Sequence, residues 1–175
     1  RQMCIRDSPK RAGNCNDAPI ILYYKGTIQR MDKTVGIVGA RRCTQETKRA
    51  VAELAVAYTE KQTAVISGMA KGVDSYAHTA CLKAKGYTVA VLENGLDICY
   101  PSEHEKLKEC IENKGLVISE YPPGIRPTKY TFPKRNRLIS AWSDELIVVA
   151  AGKKSGALIT ADYSKKYGRK IIYCE

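Results

Sequence analysis

The feature that most constrains the fold is a repeated couplet: a short β-branched apolar run, then a segment whose apolar side chains recur with helical spacing. Thr34 to Gly39 (TVGIVG) is such a run, and the stretch from Thr47 to Tyr58 places Val51, Leu54, Ala55 and Tyr58 at i, i+3, i+4 and i+7. The couplet returns as Ala64 to Ile66 with a helix from about Val73 to Lys85, and again as Thr88 to Leu92 with a helix from Ser102 to Asn113. Ser102 and Glu105 have the spacing of a capping box, and Leu107, Cys110 and Ile111 share one face behind them. Leu116 to Ser119 supplies a further strand, after which Pro122, Pro123, Pro127 and Pro133 interrupt the rhythm. A short helix from about Asn136 to Trp142, a strand from Glu145 to Ala151, a helix from Ala157 to Tyr167 and a strand from Lys170 to Tyr173 complete the pattern, and Ile20 to Tyr24 is a candidate edge strand before it. Continuous apolar strands alternating with amphipathic helices predict an α/β, three-layer Rossmann-like fold, with a mostly parallel sheet and helices on both faces. The 175 residues suit one main domain. Residues 1–14 show no periodicity and are set aside as a non-native or disordered leader, leaving 15–175 as the core domain.

Charge narrows the partner. With 29 Lys and Arg against 18 Asp and Glu, the chain carries a net +11 spread along its length, a field that attracts polyanions and makes nucleic acid the leading ligand class. Its seven cysteines form no C-x-x-C pair and sit mostly within apolar patterns, so they read as reduced core thiols of a cytoplasmic protein. No apolar run approaches the roughly 20 residues of a membrane span, which argues against membrane association.

Ligands of open α/β sheets bind beyond the carboxyl ends of the strands, and the polar clusters fall there. Gly39-Ala40-Arg41-Arg42 follows the first strong strand, Ser67-Gly68-Met69-Ala70-Lys71-Gly72 the second, Phe132-Pro133-Lys134-Arg135-Asn136-Arg137 precedes a later one, and Lys153-Lys154-Ser155-Gly156 follows it. Glycines and cations at several strand ends point to one anionic ligand, with Arg41 and Arg135 expected on loops at the mouth of a pocket. Any one of Gly39, Gly68, Gly72 and Gly156 could serve a tight turn instead; only the set favours phosphate. Arg135 and Arg137 could be a solvated helix start, but cations there oppose the macrodipole, which favours an anion site. Phe132, the single phenylalanine, could be core or a platform for a base.

Enzymatic readings have little support. The first loop lacks G-x-G-x-x-G and the second strand ends without a ribose-binding acid, which counts against NAD, while the segment at Lys153 lacks the first glycine of a Walker A loop. No cofactor is expected. Asp74 and His78 lie at i, i+4, but without a third ligand they read as hydrogen-bonded or capping residues rather than a metal pair. With two histidines and no nucleophile motif, a catalytic triad is not indicated, and the chain reads as a non-enzyme.

The chain also resembles a known family, the bacterial DNA-processing protein A group (DprA, also called Smf). The resemblance rests on Leu22-Tyr23-Tyr24-Lys25-Gly26; Val38-Gly39-Ala40-Arg41; Ser67-Gly68-Met69-Ala70-Lys71-Gly72-Val73-Asp74 with Ala77-His78; Val91-Leu92-Glu93-Asn94-Gly95-Leu96-Asp97 with Tyr100-Pro101; Ser119-Glu120-Tyr121-Pro122-Pro123-Gly124; Phe132 to Arg137; and Ser155-Gly156-Ala157-Leu158-Ile159-Thr160-Ala161, seven motifs in order from about Pro19 to Ile172. It implies a Rossmann-like domain that binds single-stranded DNA without sequence preference, forms a homodimer, and hands that DNA to the recombinase RecA in natural transformation. By position, the resemblance makes Arg41 the family's DNA-contacting arginine, Lys129 its phosphate-binding lysine and Phe132 its base-stacking aromatic, with Arg135 and Arg137 in the adjoining basic motif. Together, the strand-end clusters and the resemblance give a DNA-binding set of Gly39, Arg41, Arg42, Ser67, Gly68, Lys71, Lys129, Phe132, Arg135, Asn136, Arg137, Ser155, Gly156 and Thr160. Departures are Ala150, where the family usually has Glu, and Ala40, where Ser is common. The chain is expected to be a truncated or minimal core, lacking the family's flanking modules. The alternative is a nucleotide-binding or nucleotide-hydrolysing protein related to the cytokinin-activating phosphoribohydrolases, although their P-G-G-x-G-T loop is missing after Pro123-Gly124.

Overall fold

A computed structural model describes residues 2–4, 10–13, 15–153 and 155–174. Among these, eight strands form one sheet in the order β1-β2-β6-β5-β4-β3-β7-β8. The strands are β1 (Gln2–Cys4), β2 (Ile21–Gly26), β3 (Thr34–Gly39), β4 (Ala64–Ser67), β5 (Thr88–Leu92), β6 (Leu116–Ser119), β7 (Glu145–Val149) and β8 (Lys170–Cys174). From β6 to β8 every neighbouring pair is parallel, while β2 joins β6, and β1 joins β2, antiparallel. The parallel strands β3 to β6 are buried along nearly their whole length, which is why they read as continuous apolar runs instead of alternating ones.

Helices cover both faces. On one side lie α2 (Gln45–Glu60), α3 (Val73–Lys83) and α4 (Glu105–Lys114); on the other, α1 (Lys10–Gly13), α5 (Thr131–Trp142) and α6 (Gly156–Lys166). Val51 and Ala55 of α2 and Val73 and Ala77 of α3 pack on Val35, Ile37, Val65 and Ile147. Across the sheet, Leu138, Ile139 and Trp142 of α5 and Ala157 and Ala161 of α6 pack on Val38, Ile66, Val89 and Val148. The alternation along each strand thus sends one apolar set to each helical layer.

Two local expectations change. The pairing of Ser102 with Glu105 does not form a capping box: Ser102 opens a 3₁₀ turn to His104 and makes no side-chain cap, and α4 begins only at Glu105. Helix α5 starts at Thr131, five residues before the expected Asn136, with Pro133 in its first turn. Proline is tolerated there because the first amides of a helix have no intrahelical acceptor to lose.

The described part of the segment set aside as a leader packs on the domain. β1 pairs with Leu22 and its neighbours, Ala12 is buried, and Arg11 reaches Asp144 at 2.8 Å and the Thr34 hydroxyl at 3.1 Å. Elements of three or four residues are too short to show periodicity, so nothing in the sequence marked them.

Candidate functional site

The strand order reverses at β3. From it the chain runs outward through β4, β5 and β6, then returns to place β7 on the other flank, so the loops after β3 and β7 diverge to opposite faces and leave a crevice between them. A cleft of about 560 Å³ opens there. Gly39, Arg41 and Arg42 line it from the β3 loop, Gly152, Lys153, Ser155, Gly156 and Thr160 from the segment after β7, and Phe132, Arg135 and Asn136 from α5. Lys154 lies outside the described residues.

Each wall has a local cause. Ser155 caps α6, its hydroxyl accepting from the Ala157 amide at 3.3 Å, and Asn136 Nδ2 donates to the Gly156 carbonyl at 3.1 Å. The start of α6 therefore lines a cleft edged by the exposed cations Arg41, Arg42 and Lys153. The Arg41 guanidinium carbon stands 5.4 Å from the centroid of the Phe132 ring, which itself meets the Tyr100 ring edge-on at 5.7 Å and 66°. Phe132 is thus half-exposed at the rim and not part of the core.

Arg135 is elsewhere than expected. It sits within α5, not on a loop at the mouth, and is 4% exposed. Its Nη1 donates to the carbonyls of Gly68 and, at 2.8 Å, Val91, and its Nη2 lies 3.3 Å from Glu93 Oε2. Asp74 shares this buried group, accepting from the amides of Gly68 at 3.2 Å and Ala70 at 3.4 Å. Burial pushes both the Asp74 and the Glu93 carboxyls up from the usual range, with the Arg135 charge drawing them back. A side chain at residue 68 would collide with the Arg135 guanidinium, so Gly68 is there to admit the arginine. Gly72, at φ +82°, has a similar role: a Cβ there would strike the Ala40 carbonyl, which accepts from the Val73 amide at 3.1 Å and ties two site loops together.

The other expected contacts divide. Arg137 is buried outside the cleft and pairs with Glu120, so the anion site inferred from its place at a helix start is not formed by its side chain; with α5 beginning at Thr131, neither arginine stands at the helix N-terminus. Ser67 is fully buried and donates to the Ile37 carbonyl at 2.6 Å, bracing β4 against β3. Lys71 is exposed and paired with Glu103 at 2.6 Å, and Lys129 is exposed with its ammonium 5.0 Å from the Tyr130 ring; neither lines the cleft. His78 is fully buried, its Nδ1 2.7 Å from the Thr88 hydroxyl, and among the described residues no cluster of side chains could hold a metal. Glu93 and Tyr100 went unmarked as site residues in the sequence. The signal for Glu93 was an acid directly after the last residue of a buried parallel strand, where nothing but a specific partner would hold it.

Among the described residues no helix is long and apolar enough to cross a membrane.

Comparisons with known proteins agree with this architecture. Residues 3–175 match the family model described as DNA recombination-mediator protein A. The chain is 40% identical over 157 residues to the DNA processing protein DprA of Streptococcus pneumoniae, covering 89% of this chain and 55% of that protein. It is 38% identical over 171 residues to Protein Smf of a Synechocystis strain, covering 95% of this chain and 43% of that one. It therefore spans about half the length of these curated relatives. The solved structure of the Streptococcus pneumoniae protein superposes with a TM-score of 0.92 at 36% identity, covering 99% of this chain and 62% of the other. A Helicobacter pylori DNA processing protein A, described for its single-stranded DNA binding mode, superposes with a TM-score of 0.91 at 31% identity, covering 99% and 80%. A molybdenum cofactor carrier protein from Chlamydomonas reinhardtii shares the fold alone, with a TM-score of 0.59 at 18% identity, covering 82% of this chain and 76% of that one. The seven motifs, the reversal of strand order at β3 and the family match over residues 3–175 agree, and this chain belongs to the DNA recombination-mediator protein A family, the DprA and Smf proteins.

Proposed function

We propose that this chain is a DNA-processing core that binds single-stranded DNA of any sequence in the β3/β7 cleft. The observation that carries the reading is the rim itself: Arg41 stands over Phe132, beside Arg42, Lys153 and the N-terminal turn of α6. Cations and helix amides suit phosphate oxygens, and an aromatic face beside them suits an unpaired base of any identity. A duplex keeps its bases stacked inside, so it gains the first interaction and forgoes the second.

The rest of the proposal rests on family membership: the protein acts in the cytoplasm during natural transformation, forms a homodimer, and passes its DNA to RecA. No catalytic role is proposed, since Asp74 in the cleft lining accepts from backbone amides and the buried Glu93 lies against Arg135.

Fluorescence anisotropy with a labelled oligothymidine, its duplex and thymidine monophosphate tests the binding. The oligomer should bind at least tenfold more tightly than the other two. Equal affinity for the mononucleotide would favour a nucleotide-binding protein instead.

A further inference from the structure

Beside the main cleft lies a smaller recess of about 50 Å³, and Arg41, Ala70 and Phe132 line both. Lys71, next in the chain to Ala70, lines the recess only, and with Arg41 it supplies the cations there. A strand with a base on Phe132 and a phosphate at Arg41 passes this opening, so Lys71 is placed to take a further phosphate.

Its ammonium is already engaged. Lys71 Nζ donates to Glu103 Oε2 at 2.6 Å, and both side chains are more than half exposed. An isolated pair in such a setting contributes little, because two long side chains must be held in one geometry. Here the fold holds part of that geometry in advance. Glu103 is the middle residue of the 3₁₀ turn Ser102–His104, and His104 Nδ1 donates to the Met69 carbonyl at 2.9 Å. Met69 lies two residues before Lys71 on the β4–α3 loop, so the turn that carries the acid is docked on the loop that carries the lysine. Pre-ordering of this kind lowers the entropic cost of the contact.

We propose that Glu103 is a built-in competitor for the strand: its carboxylate occupies Lys71, masks a phosphate contact at the rim, and keeps the grip on single-stranded DNA below what the cations around the cleft allow. The inference deepens the DNA-binding reading and rests on it. An ammonium has three donors, but a phosphate that arrives at Lys71 also meets the Glu103 charge, and the attraction to one is offset by repulsion from the other. Exchanging carboxylate for phosphate therefore adds little to the affinity, whereas removing the carboxylate adds a whole contact. The mask acts on phosphates alone and is indifferent to the base.

The test measures binding of a labelled oligothymidine across a range of salt by fluorescence anisotropy, using wild type, Glu103→Gln, Lys71→Gln and the double variant, each with its thermal melt. Glu103→Gln should bind roughly three- to fivefold more tightly than wild type, the size of one exposed ion pair released. Its log–log salt slope should be steeper by about 0.7, the signature of one added contact to a single strand. In the Lys71→Gln background there is no cation to unmask, and the same substitution should gain less than about twofold, the screened effect of removing one negative charge. Glu103→Ala removes the charge as well and must repeat the gain, which keeps the result readable should the glutamine variant melt early. Equal gains with and without Lys71 would show that Glu103 acts through net charge alone and overturn the mask. Wild-type affinity in the folded Glu103 variants overturns it too, while leaving single-strand binding in place. Binding by none of these proteins overturns the DNA reading, and the mask with it.

Discussion

Arg135 donates through Nη1 to the Gly68 carbonyl, so one guanidinium ties helix α5 to the end of β4 and fills the space that a side chain at residue 68 would take. The same guanidinium faces Glu93 and Asp74, both buried. Removing it takes the neighbouring cation away from two buried carboxyls. Arg135→Ala should therefore cost about 3 kcal/mol or more, and Arg135→Glu should prevent folding, as loss of one partner from a buried ion pair does. Denaturant unfolding followed by circular dichroism checks this. A stability within about 0.5 kcal/mol of wild type, as for ordinary surface changes, would show the arginine to be free.

Arg41 is the contrasting case, exposed on the β3 loop with no acid in ion-pair contact among the described residues. Arg41→Glu should leave the melting curve nearly unchanged and abolish oligonucleotide binding. Phe132→Ala should weaken binding by about 1–3 kcal/mol whatever the base composition, the usual loss of one stacked base. Titrations of both variants with labelled oligothymidine, alongside their melts, give the two readouts.

Salt dependence counts the phosphate contacts. Among the described residues, the cations lining the cleft without an acid in ion-pair contact are Arg41, Arg42 and Lys153, whereas Arg135, Arg137 and Lys71 are paired with Glu93, Glu120 and Glu103. At about 0.7 of a unit per contact on single strands, three contacts predict a log–log slope of roughly −2. A measured slope near −3.5 would mean that Lys71 and Lys129 also reach the backbone.

His78 makes folding sensitive to acid. Burial lowers its pKa to about 3, with the charges of His104 and Arg135 acting in the same direction. The unfolded chain takes up this proton near pH 6.5 and the native state does not, so stability falls as pH drops from about 6.5 towards 3. Between pH 7 and 5 this one group should remove about 2 kcal/mol. Comparing unfolding of wild type and His78→Gln at the two pH values isolates it, because Asp74 and Glu93, which titrate in the opposite sense, are present in both proteins. Equal losses in the two proteins would contradict the assignment.

Ala150, just after β7, has φ +50°, a conformation that costs a residue with a Cβ about 1 kcal/mol. Ala150→Gly should raise stability by about 0.5–1 kcal/mol and Ala150→Val should lower it. Thermal melts of the pair give the sign directly.

The strands and helices were legible in the sequence because each is long enough to repeat its own period, and Thr88–Leu92 and Leu116–Ser119 fall where the apolar runs placed them. The loop cations Arg41 and Arg42 were legible too, since charges bordering strands have few other uses. What stayed hidden was the partner of each arginine. Arg135 and Arg137 look like Arg41 in a string of letters, and only the fold shows that the acids just after β5 and just after β6 had already claimed them. The reversal of strand order at β3 was hidden for the same reason: pairing between distant strands leaves no local mark.

The placement of β7 beside β3 has a consequence for when the cleft can exist during synthesis. Asp144, just before β7, accepts from the Thr34 amide at the start of β3 across 110 residues of chain. A ribosome therefore releases β3, its glycine loop and its arginines long before the opposing wall has been translated. Until β7 and the first turn of α6 emerge, the nascent protein has a basic edge but no groove. The cleft thus arrives in one step once β7 and α6 are translated, and a product halted before Glu145 would retain much of the positive charge with no groove beside it.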